Sequence, residues 1–306
     1  MISRPYWGDN DFSRVRQMLV QTHTQLGRYG CWSPVRWDVY RYAICVDDEL
    51  ESTHMWENNV QVWETDSGEL VGAAIYEKNG VGYLLTHPDH RTVDAAMLNW
   101  LEVRHRAHKP AGVHRWPFTV YIHDDDPASV YLLTRKNYIR QGAAMINRRR
   151  WLADTVASLP LPPGYNLRQL KPERLADLQR LCDADQAVFG GRQWTPATIR
   201  VISRSVAYRP DLDLVIEAPD LSFAAFATAW YDAVNHAGEF DPVGTHPLHR
   251  DKGLAQVVMT EGLHRLQALG ARVAYAGAEV DSPAQRLYHS LGFNESEVEG
   301  EWELLM

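Results

Sequence analysis

Cysteine is scarce in this sequence, and long apolar runs are missing. The three cysteines among 306 residues are scattered and form no Cys-x-x-Cys pair, which argues against a disulfide framework or a zinc site and favours a reducing compartment. No apolar run approaches the roughly 20 residues that a membrane-spanning helix needs, and residues 1–6 lack a signal-peptide core. We therefore expect a cytoplasmic protein that does not bind membranes.

Positive charge is also in deficit. Thirty-one Lys and Arg side chains stand against 39 Asp and Glu, a net charge of −8. Residues 1–150 carry 18 of each sign, whereas residues 151–306 carry 21 acidic and 13 basic side chains. An acidic domain binds nucleic acid poorly, so we expect no nucleic-acid partner. The same surplus suits a cationic amine, although a surface adjusted for solubility would also account for it.

One stretch in the second half has the pattern of an anion-binding turn. A strand-like run over residues 239–245 leads into Thr-His-Pro-Leu-His-Arg-Asp-Lys-Gly-Leu-Ala, which ends at Ala255 and opens a run of helix-spaced apolar residues. Such a turn directs unpaired backbone N–H groups and the positive end of a helix dipole at one point, where phosphate binds. Gly253 leaves room for the anion, and Arg250 and Lys252 add positive charge.

A second motif follows about thirty residues later. Residues 271–280 have a strand pattern, and residues 284–293 spell Ala-x-x-Leu-Tyr-x-x-Leu-Gly-Phe. Together with Arg-x-x-Gly-x-Ala at residues 250–255, this order and spacing resembles the GCN5-related N-acetyltransferase (GNAT) superfamily over about residues 165–306. Asp281 is a departure, because the family often has Asn there.

The sequence also repeats itself. Thr-His-Pro-x-His-Arg occurs at residues 86–91 and again at 245–250, and each copy precedes a predicted helix, a strand, Pro-Ala and a second helix. Repetition on this scale indicates two copies of one domain, so the resemblance implies a tandem GNAT protein. We expect a mixed α/β fold in which each domain is a mostly antiparallel twisted sheet flanked by helices. The expected limits are 1–153 for the N-terminal domain, 154–164 for a Pro-rich linker and 165–306 for the catalytic domain.

The N-terminal copy differs where a nucleotide would bind. Asp94 stands at the position of Gly253, and Leu132 or Leu133 at the position of Tyr288. A carboxylate beside a diphosphate is unfavourable for steric reasons and because like charges repel. We therefore predict that the N-terminal copy is degenerate and holds no nucleotide cofactor.

The resemblance implies that an amine directly attacks the thioester of acetyl-CoA, the expected cosubstrate. It implies that Tyr288 protonates the leaving thiolate, and that the diphosphate and the pantetheine arm lie along residues 243–255. The candidate cofactor-binding residues are Val243, Gly244, Thr245, Arg250, Asp251, Lys252, Gly253, Leu254 and Ala255.

Two carboxylates are candidates for the base that deprotonates the attacking ammonium. Glu239 and Asp241 lie two residues apart on a predicted strand and so share a face. Either could accept the proton, directly or through water, and both could instead face solvent. His246 and His249 are spaced like metal ligands, but the repeat explains them without a metal, so we expect no metal site. The aromatic residues between 29 and 42 suit either a core or an acceptor pocket between the domains.

We therefore predict an acetyl-CoA-dependent N-acetyltransferase, acting as a monomer or homodimer on the primary amine of a small molecule. Two alternatives remain open. One is a peptide or protein N-acetyltransferase, and the other is a non-catalytic module that binds acyl-CoA or another ligand. Nothing in the sequence identifies the acceptor.

Overall fold

The computed structural model describes residues 1–47, 56–77, 79–153, 156–190 and 194–306. The chain divides into two compact units. Unit 1 comprises Met1–Trp37, Leu50–Ile146 and Glu297–Met306, and unit 2 comprises Asp38–Glu49 and Asn147–Ser296. No helix among the described residues is both long and apolar enough to span a bilayer.

Unit 1 holds the first repeat. Its strands are β1 (Ile2–Pro5), β2 (Val60–Glu64), β3 (Leu70–Glu77), β4 (Val81–Thr86) and β5 (Pro117–His123), with the last strand of the chain, β12 (Glu295–Leu305), beside β5. Its helices are α1 (Gly8–Leu26), α3 (Asp94–Ala107) and α4 (Pro127–Arg135). Helix α2 (Pro34–Asp47) and strand β6 (Ile139–Trp151) begin in unit 1 and end in unit 2.

Unit 2 holds the second repeat. Its strands are β7 (Asn166–Gln169), β8 (Asp213–Glu217), β9 (Phe223–Asp232), β10 (Ala237–Thr245) and β11 (Val273–Glu279), and the end of β6 lies beside β11. Its helices are α5 (Leu175–Phe189), α6 (Pro196–Ile202), α7 (Leu254–Ala268) and α8 (Ala284–Ser290).

The two units share one strand topology. In unit 1, three successive antiparallel pairs join β1 to β4, and β4 runs parallel to β5. In unit 2, three antiparallel pairs join β7 to β10, and β10 runs parallel to β11. This confirms the predicted fold class, a mixed and mostly antiparallel sheet with flanking helices in each repeat.

The units exchange their last strands. Strand β12 closes the second repeat in sequence, yet it pairs antiparallel with β5 of unit 1, from Glu299 opposite His123 to Leu305 opposite Pro117. Strand β6 closes the first repeat and ends in unit 2. The domain limits expected from the sequence stay a prediction, and the compact units differ from them by this exchange.

The expected linker also differs in its packing. Val156 is buried in the core of unit 2, where Leu161 packs against it, and the Val156 carbonyl lies 2.7 Å from Nε2 of His264. Residues 154 and 155, where the expected linker begins, lie outside the described residues.

Apolar residues at helical spacing form the buried faces of the long helices. Helix α1 buries Phe12, Val15, Met18, Leu19 and Thr22, and α7 buries Leu254, Val257, Val258, Leu263 and Leu266. Helix α6 begins with a capping box. Thr195 is its N-cap, with the side chain accepting from the Thr198 amide in a capping box, and Pro196 follows.

Each repeat carries the same buried charge cluster, which sequence reasoning did not anticipate. In unit 2, Arg168 on β7 donates to both carboxylate oxygens of Asp177 on α5, at 2.6 and 3.0 Å, and to Glu217 at 3.0 Å. In unit 1, Arg4 makes the corresponding bonds to Asp11 and Glu64 at 2.6 to 2.8 Å. Burial alone would raise the pKa of Asp177, but the hydrogen bonds and charge of Arg168 outweigh it and lower that pKa.

We predict that Asp177→Asn lowers the free energy of unfolding by about 3 kcal/mol, because Arg168 then loses a buried partner of opposite charge. The measurement is urea-induced unfolding near pH 7. Asp183→Asn, an exposed aspartate on the same helix, is the matched control and should change stability by less than about 0.5 kcal/mol. Equal losses in both variants would contradict a stabilising role for the cluster.

Candidate functional site

The candidate site lies where β10 and β11 part. Their parallel pairing runs from Ala237 opposite Val273 to Phe240 opposite Ala276. A bulge then interrupts β10 between Phe240 and Val243, and its last residues pair with β9 on the other side. Along this stretch of β10, no residue is paired in register with β11. Backbone groups on that side could therefore pair with an extended ligand. Val243, Gly244 and Thr245, the predicted pantetheine residues, occupy this stretch.

Gly244 is required by packing inside unit 2. A Cβ built on it would lie 2.4 Å from Cζ of Phe226 on β9. Glycine within a strand is typical of a bulge or of the close approach of another group. The close approach is made by the Phe226 ring, and the bulge lies just before Gly244.

The turn after β10 has the geometry expected of an anion site. Asp251 and Gly253 both have left-handed φ, at 61° and 72°, and successive N–H groups in such turns converge on one point. Helix α7 begins at Leu254 without a side-chain cap, and the first bond back to Gly253 comes from the Val257 amide at 3.1 Å. The amides of residues 254–256 therefore have no acceptor inside the helix.

The charged residues of this turn are exposed. Arg250 and Lys252 both reach solvent, and Lys252 Nζ donates to the Tyr165 hydroxyl at 2.8 Å. That hydroxyl lies 3.0 Å from Nδ1 of His249. Burial, and then the charge of Lys252, lower the pKa of His249. Tyr165 was not among the predicted site residues, because no motif in the sequence marks it.

The repeated histidines cap short turns. His246 accepts a hydrogen bond from the Leu248 amide, and His87 accepts one from the Asp89 amide, both at 3.3 Å. Each imidazole thereby caps the 3₁₀ turn that follows it. Within the described ranges, no group of three or more His, Cys, Asp or Glu side chains is arranged to hold a metal ion.

Tyr288 interacts electrostatically with Asp241. Tyr288 is 4% exposed, and its ring lies 6.0 Å from that of Phe293. Burial raises the pKa of the Tyr288 hydroxyl well above its usual range, and the negative charge of Asp241 raises it further. Tyr288 is thus both a core residue and an electrostatic neighbour of one candidate base.

Asp241 also lines a small cavity of about 30 Å³ in unit 2. Its described lining residues include no basic side chain, three carboxylates and four aromatic rings. The carboxylates are Asp185, Asp213 and Asp241, and the rings are Trp194, Tyr208, Phe226 and Trp230. Of the two candidate bases, Asp241 is a lining residue and Glu239 is not.

Asp213 was not predicted from the sequence. It is 3% exposed at the start of β8 and accepts hydrogen bonds from the hydroxyls of Tyr208 at 2.7 Å and Thr228 at 3.0 Å. Burial raises its pKa to about 6, against the opposing effect of these two bonds. A lone Asp before an apolar strand was the only signal in the sequence, and a strand end in solvent gives the same signal.

The aromatic residues of the α1–α2 region fill the core of unit 1. Trp32 and Trp37 are almost completely buried, and the Trp37 indole donates to the Phe12 carbonyl at 3.0 Å. Both side chains therefore pack in the core, and Trp32, together with Tyr29, also lines a cavity inside unit 1.

In unit 1 the corresponding turn contains a carboxylate of the protein itself, the side chain of Asp94. Asp94 is the first residue of α3 and is 6% exposed. One carboxylate oxygen accepts from the Thr86 hydroxyl and the other from Nε of Arg91, both at 2.6 Å. Asp94 therefore places a negative charge at the helix N-terminus, where it is electrostatically favourable.

Comparison with known families agrees with this geometry. A sequence model of the acetyltransferase (GNAT) family matches residues 187–293, a range that includes β10, the turn after it, α7, β11 and α8. No curated protein sequence matches the chain significantly.

Solved structures resemble the chain over both repeats. A tandem GNAT protein from the clavulanic acid biosynthesis pathway has a TM-score of 0.67 at 14% identity and covers 99% of this chain and 97% of its own. A GCN5-related N-acetyltransferase from Sphaerobacter thermophilus has a TM-score of 0.64 at 18% identity, covering 99% and 95%. A GNAT-family acetyltransferase from Colwellia psychrerythraea has a TM-score of 0.53 at 13% identity, covering 93% and 97%.

At these identities the structural likeness shows the fold, and the family match covers the second repeat. Residues 187–293 thus match the acetyltransferase (GNAT) family, and the chain as a whole has the fold of tandem GNAT proteins.

Proposed function

We propose that unit 2 transfers an acetyl group from acetyl-CoA to the primary amine of a small molecule. The observation that carries this proposal is the acidic, aromatic cavity at Asp241, at the end of β10 that parts from β11, together with the electrostatic interaction between Asp241 and Tyr288. A base, an acid and an amine-binding surface then serve one reaction centre.

The turn after β10 would hold the diphosphate of acetyl-CoA. The amides of residues 254–256 supply donors at the positive end of α7. Arg250 and Lys252 are exposed beside them and add charge-assisted bonds. The pantetheine arm would pair with the backbone of residues 243–245, which places the thioester near the bulge and Asp241.

The cavity suits the amine end of the acceptor. Its volume of about 30 Å³ accommodates a group of only a few atoms, so the rest of the acceptor would lie outside it. Carboxylates attract an ammonium group, and Trp194, Trp230 and Tyr208, which also line the cavity, are residue types that make cation–π contacts.

Asp241 and Tyr288 would share the proton transfers. Asp241 takes a proton from the ammonium, and the resulting amine nitrogen attacks the thioester carbonyl carbon. A C–N bond forms, the attacking nitrogen gives up its second proton to water, and the C–S bond breaks. The departing thiolate receives the proton of the Tyr288 hydroxyl, which solvent then restores.

The electrostatic coupling of these two residues fits their order of action. While Asp241 is ionised, its charge helps to keep the Tyr288 hydroxyl protonated. Once Asp241 accepts the ammonium proton, that charge is lost and the pKa of Tyr288 falls. Tyr288 thus becomes a better acid when the thiolate forms.

We predict that Asp241→Asn and Tyr288→Phe each lower kcat/KM by about 10²- to 10⁴-fold at pH 7, with CoA affinity within about threefold of the parent. Glu239→Gln is the matched control for Asp241 and should retain activity within about fivefold, because Glu239 does not line the cavity. Thiol release from acetyl-CoA across a panel of amines is the measurement. Full activity in both Asp241→Asn and Tyr288→Phe would rule out this mechanism, and CoA binding without turnover on any amine would favour a non-catalytic module.

We predict that calorimetry finds one CoA site per chain and that Gly253→Asp removes it. This change places in unit 2 the carboxylate that Asp94 places in unit 1, and repulsion from the diphosphate costs about 1 to 4 kcal/mol. Gly253→Asn is the control, since it has a similar size and tolerates left-handed φ but carries no charge. Two sites in the parent protein, or equal losses in both variants, would count against the charge argument.

We predict that Asp213 makes stability fall as pH rises from about 4 to about 6. The folded protein retains the Asp213 proton up to a pKa of about 6, whereas the unfolded chain loses it near 4. The folded state therefore loses about 3 kcal/mol over this window and no more above it. Urea unfolding of the parent and of Asp213→Asn at several pH values measures this. The difference between their free energies of unfolding should change by that amount between pH of about 4 and about 6. A difference that is constant with pH would contradict it, and Asp183→Asn controls for the loss of a surface charge.

A further inference from the structure

Unit 1 contains a cavity much larger than the one in unit 2. Its volume is about 280 Å³, near the lower end of the range for small-molecule sites. The wall combines the ends of β4 and β5 with the start of α4 and the end of α1. The lining includes the aliphatic side chains of Leu19, Leu26, Leu84, Leu85, Ile122, Leu132 and Leu133.

The cavity cannot take a nucleotide diphosphate as the turn in unit 2 would. Asp94 lines it and holds the Thr86 hydroxyl and Arg91 with its two carboxylate oxygens. The anion position at the start of α3 is thus filled by a side chain of the protein itself. Space remains beyond that position, and its chemistry differs from that of a coenzyme A site.

The charged groups around this cavity have a negative surplus. Arg28 pairs with Asp125 at 2.7 Å and with Glu297 at 3.4 Å. Arg91 pairs with Asp94 at 2.6 Å and with Asp126 at 2.8 Å. Among the lining residues, two guanidinium groups therefore stand beside three carboxylates, and such a surplus favours a cation over an anion.

One polar group of the cavity wall lacks a partner. His123 lines the cavity and is 6% exposed, and neither ring nitrogen has a hydrogen-bond partner within the described part of the chain. Buried polar side chains almost always have partners, and an exception calls for a ligand or water. Because imidazole can both donate and accept, a polar group on a bound molecule could pair with it.

We propose that this cavity of unit 1 is a binding site for a small organic ammonium ion with an apolar body. The apolar wall contacts the apolar body of the ligand. The carboxylates that pair with Arg28 and Arg91 attract its ammonium group. The site is separate from the reaction centre of unit 2, and the proposal does not depend on acetyl transfer there.

Gly30 offers a way to block the cavity without disturbing the fold. It lines the cavity, and a Cβ added to it would meet only Cγ2 of Thr22, at 3.7 Å, an ordinary contact. Gly30→Ala should therefore be tolerated, whereas the indole of Gly30→Trp should occupy the cavity.

The test uses 4-phenylbutylammonium as the probe, titrated calorimetrically into the full chain without acetyl-CoA. We expect Gly30→Trp to weaken one binding event at least tenfold, Gly30→Ala to change it less than twofold and Asp241→Asn to leave it unchanged. An event that survives Gly30→Trp but is lost in Asp241→Asn belongs to unit 2 and would overturn the proposal. The cation requirement is tested with 4-phenylbutanol and 4-phenylbutyrate, and equal binding of either would also overturn it.

A second variant keeps the test decisive if Gly30→Trp does not fold. Asp125 is 61% exposed in its side chain, so Asp125→Lys should preserve the fold while reversing one charge at the rim. We expect it to weaken the ammonium probe about three- to tenfold, with the effect shrinking at high salt. Unchanged affinity in Asp125→Lys would count against the electrostatic part of the proposal.

Discussion

The parting of β10 from β11 is the constraint on which the candidate site depends. Strands that pair in parallel along their whole length would use up their backbone groups in the sheet. Here the bulge between Phe240 and Val243 ends that pairing, and the left-handed Gly253 then turns the chain into α7. Backbone donors and acceptors are thus left available along one continuous path, from strand end to helix start. A ligand with amides and a diphosphate matches such a path along its length.

The same scaffold occurs in unit 1 with a different outcome at its turn. The Arg–Asp–Glu cluster and the histidine caps are present in both repeats, so the framework around the turn has been retained. What differs is the first turn of the helix, where glycine in one repeat corresponds to Asp94 in the other. Because Asp94 is bound by Thr86 and Arg91, it is a stable part of unit 1. A retained framework with an altered anion position is what a change of ligand would require.

Local features of the site were predictable from the sequence, and its long-range features were not. The buried face of α7, the turn at Gly253 and the burial of Tyr288 follow from spacing over a few residues. The choice between Glu239 and Asp241 stayed open because residues two apart share a face only in a regular strand, and the bulge breaks that regularity. Tyr165 and Asp213 join the site through packing of segments far apart in sequence. The exchange of β6 and β12 was likewise not predictable, because either strand could pair with the similar sheet of either repeat. No local sequence pattern indicates which pairing forms.

The acidic cavity of unit 2 lowers the stability of the folded state. Ionising Asp213 at neutral pH costs the folded state about 3 kcal/mol, given its raised pKa. Hydrogen bonds from Tyr208 and Thr228 reduce this cost without removing it, and asparagine would offer similar bonding without a charge. A site for an uncharged ligand would gain nothing from that loss. An ammonium ligand would, because its charge lowers the pKa of Asp213 and returns part of the lost free energy as binding. The cost of ionising Asp213 in the folded state is therefore itself an argument for a cationic acceptor.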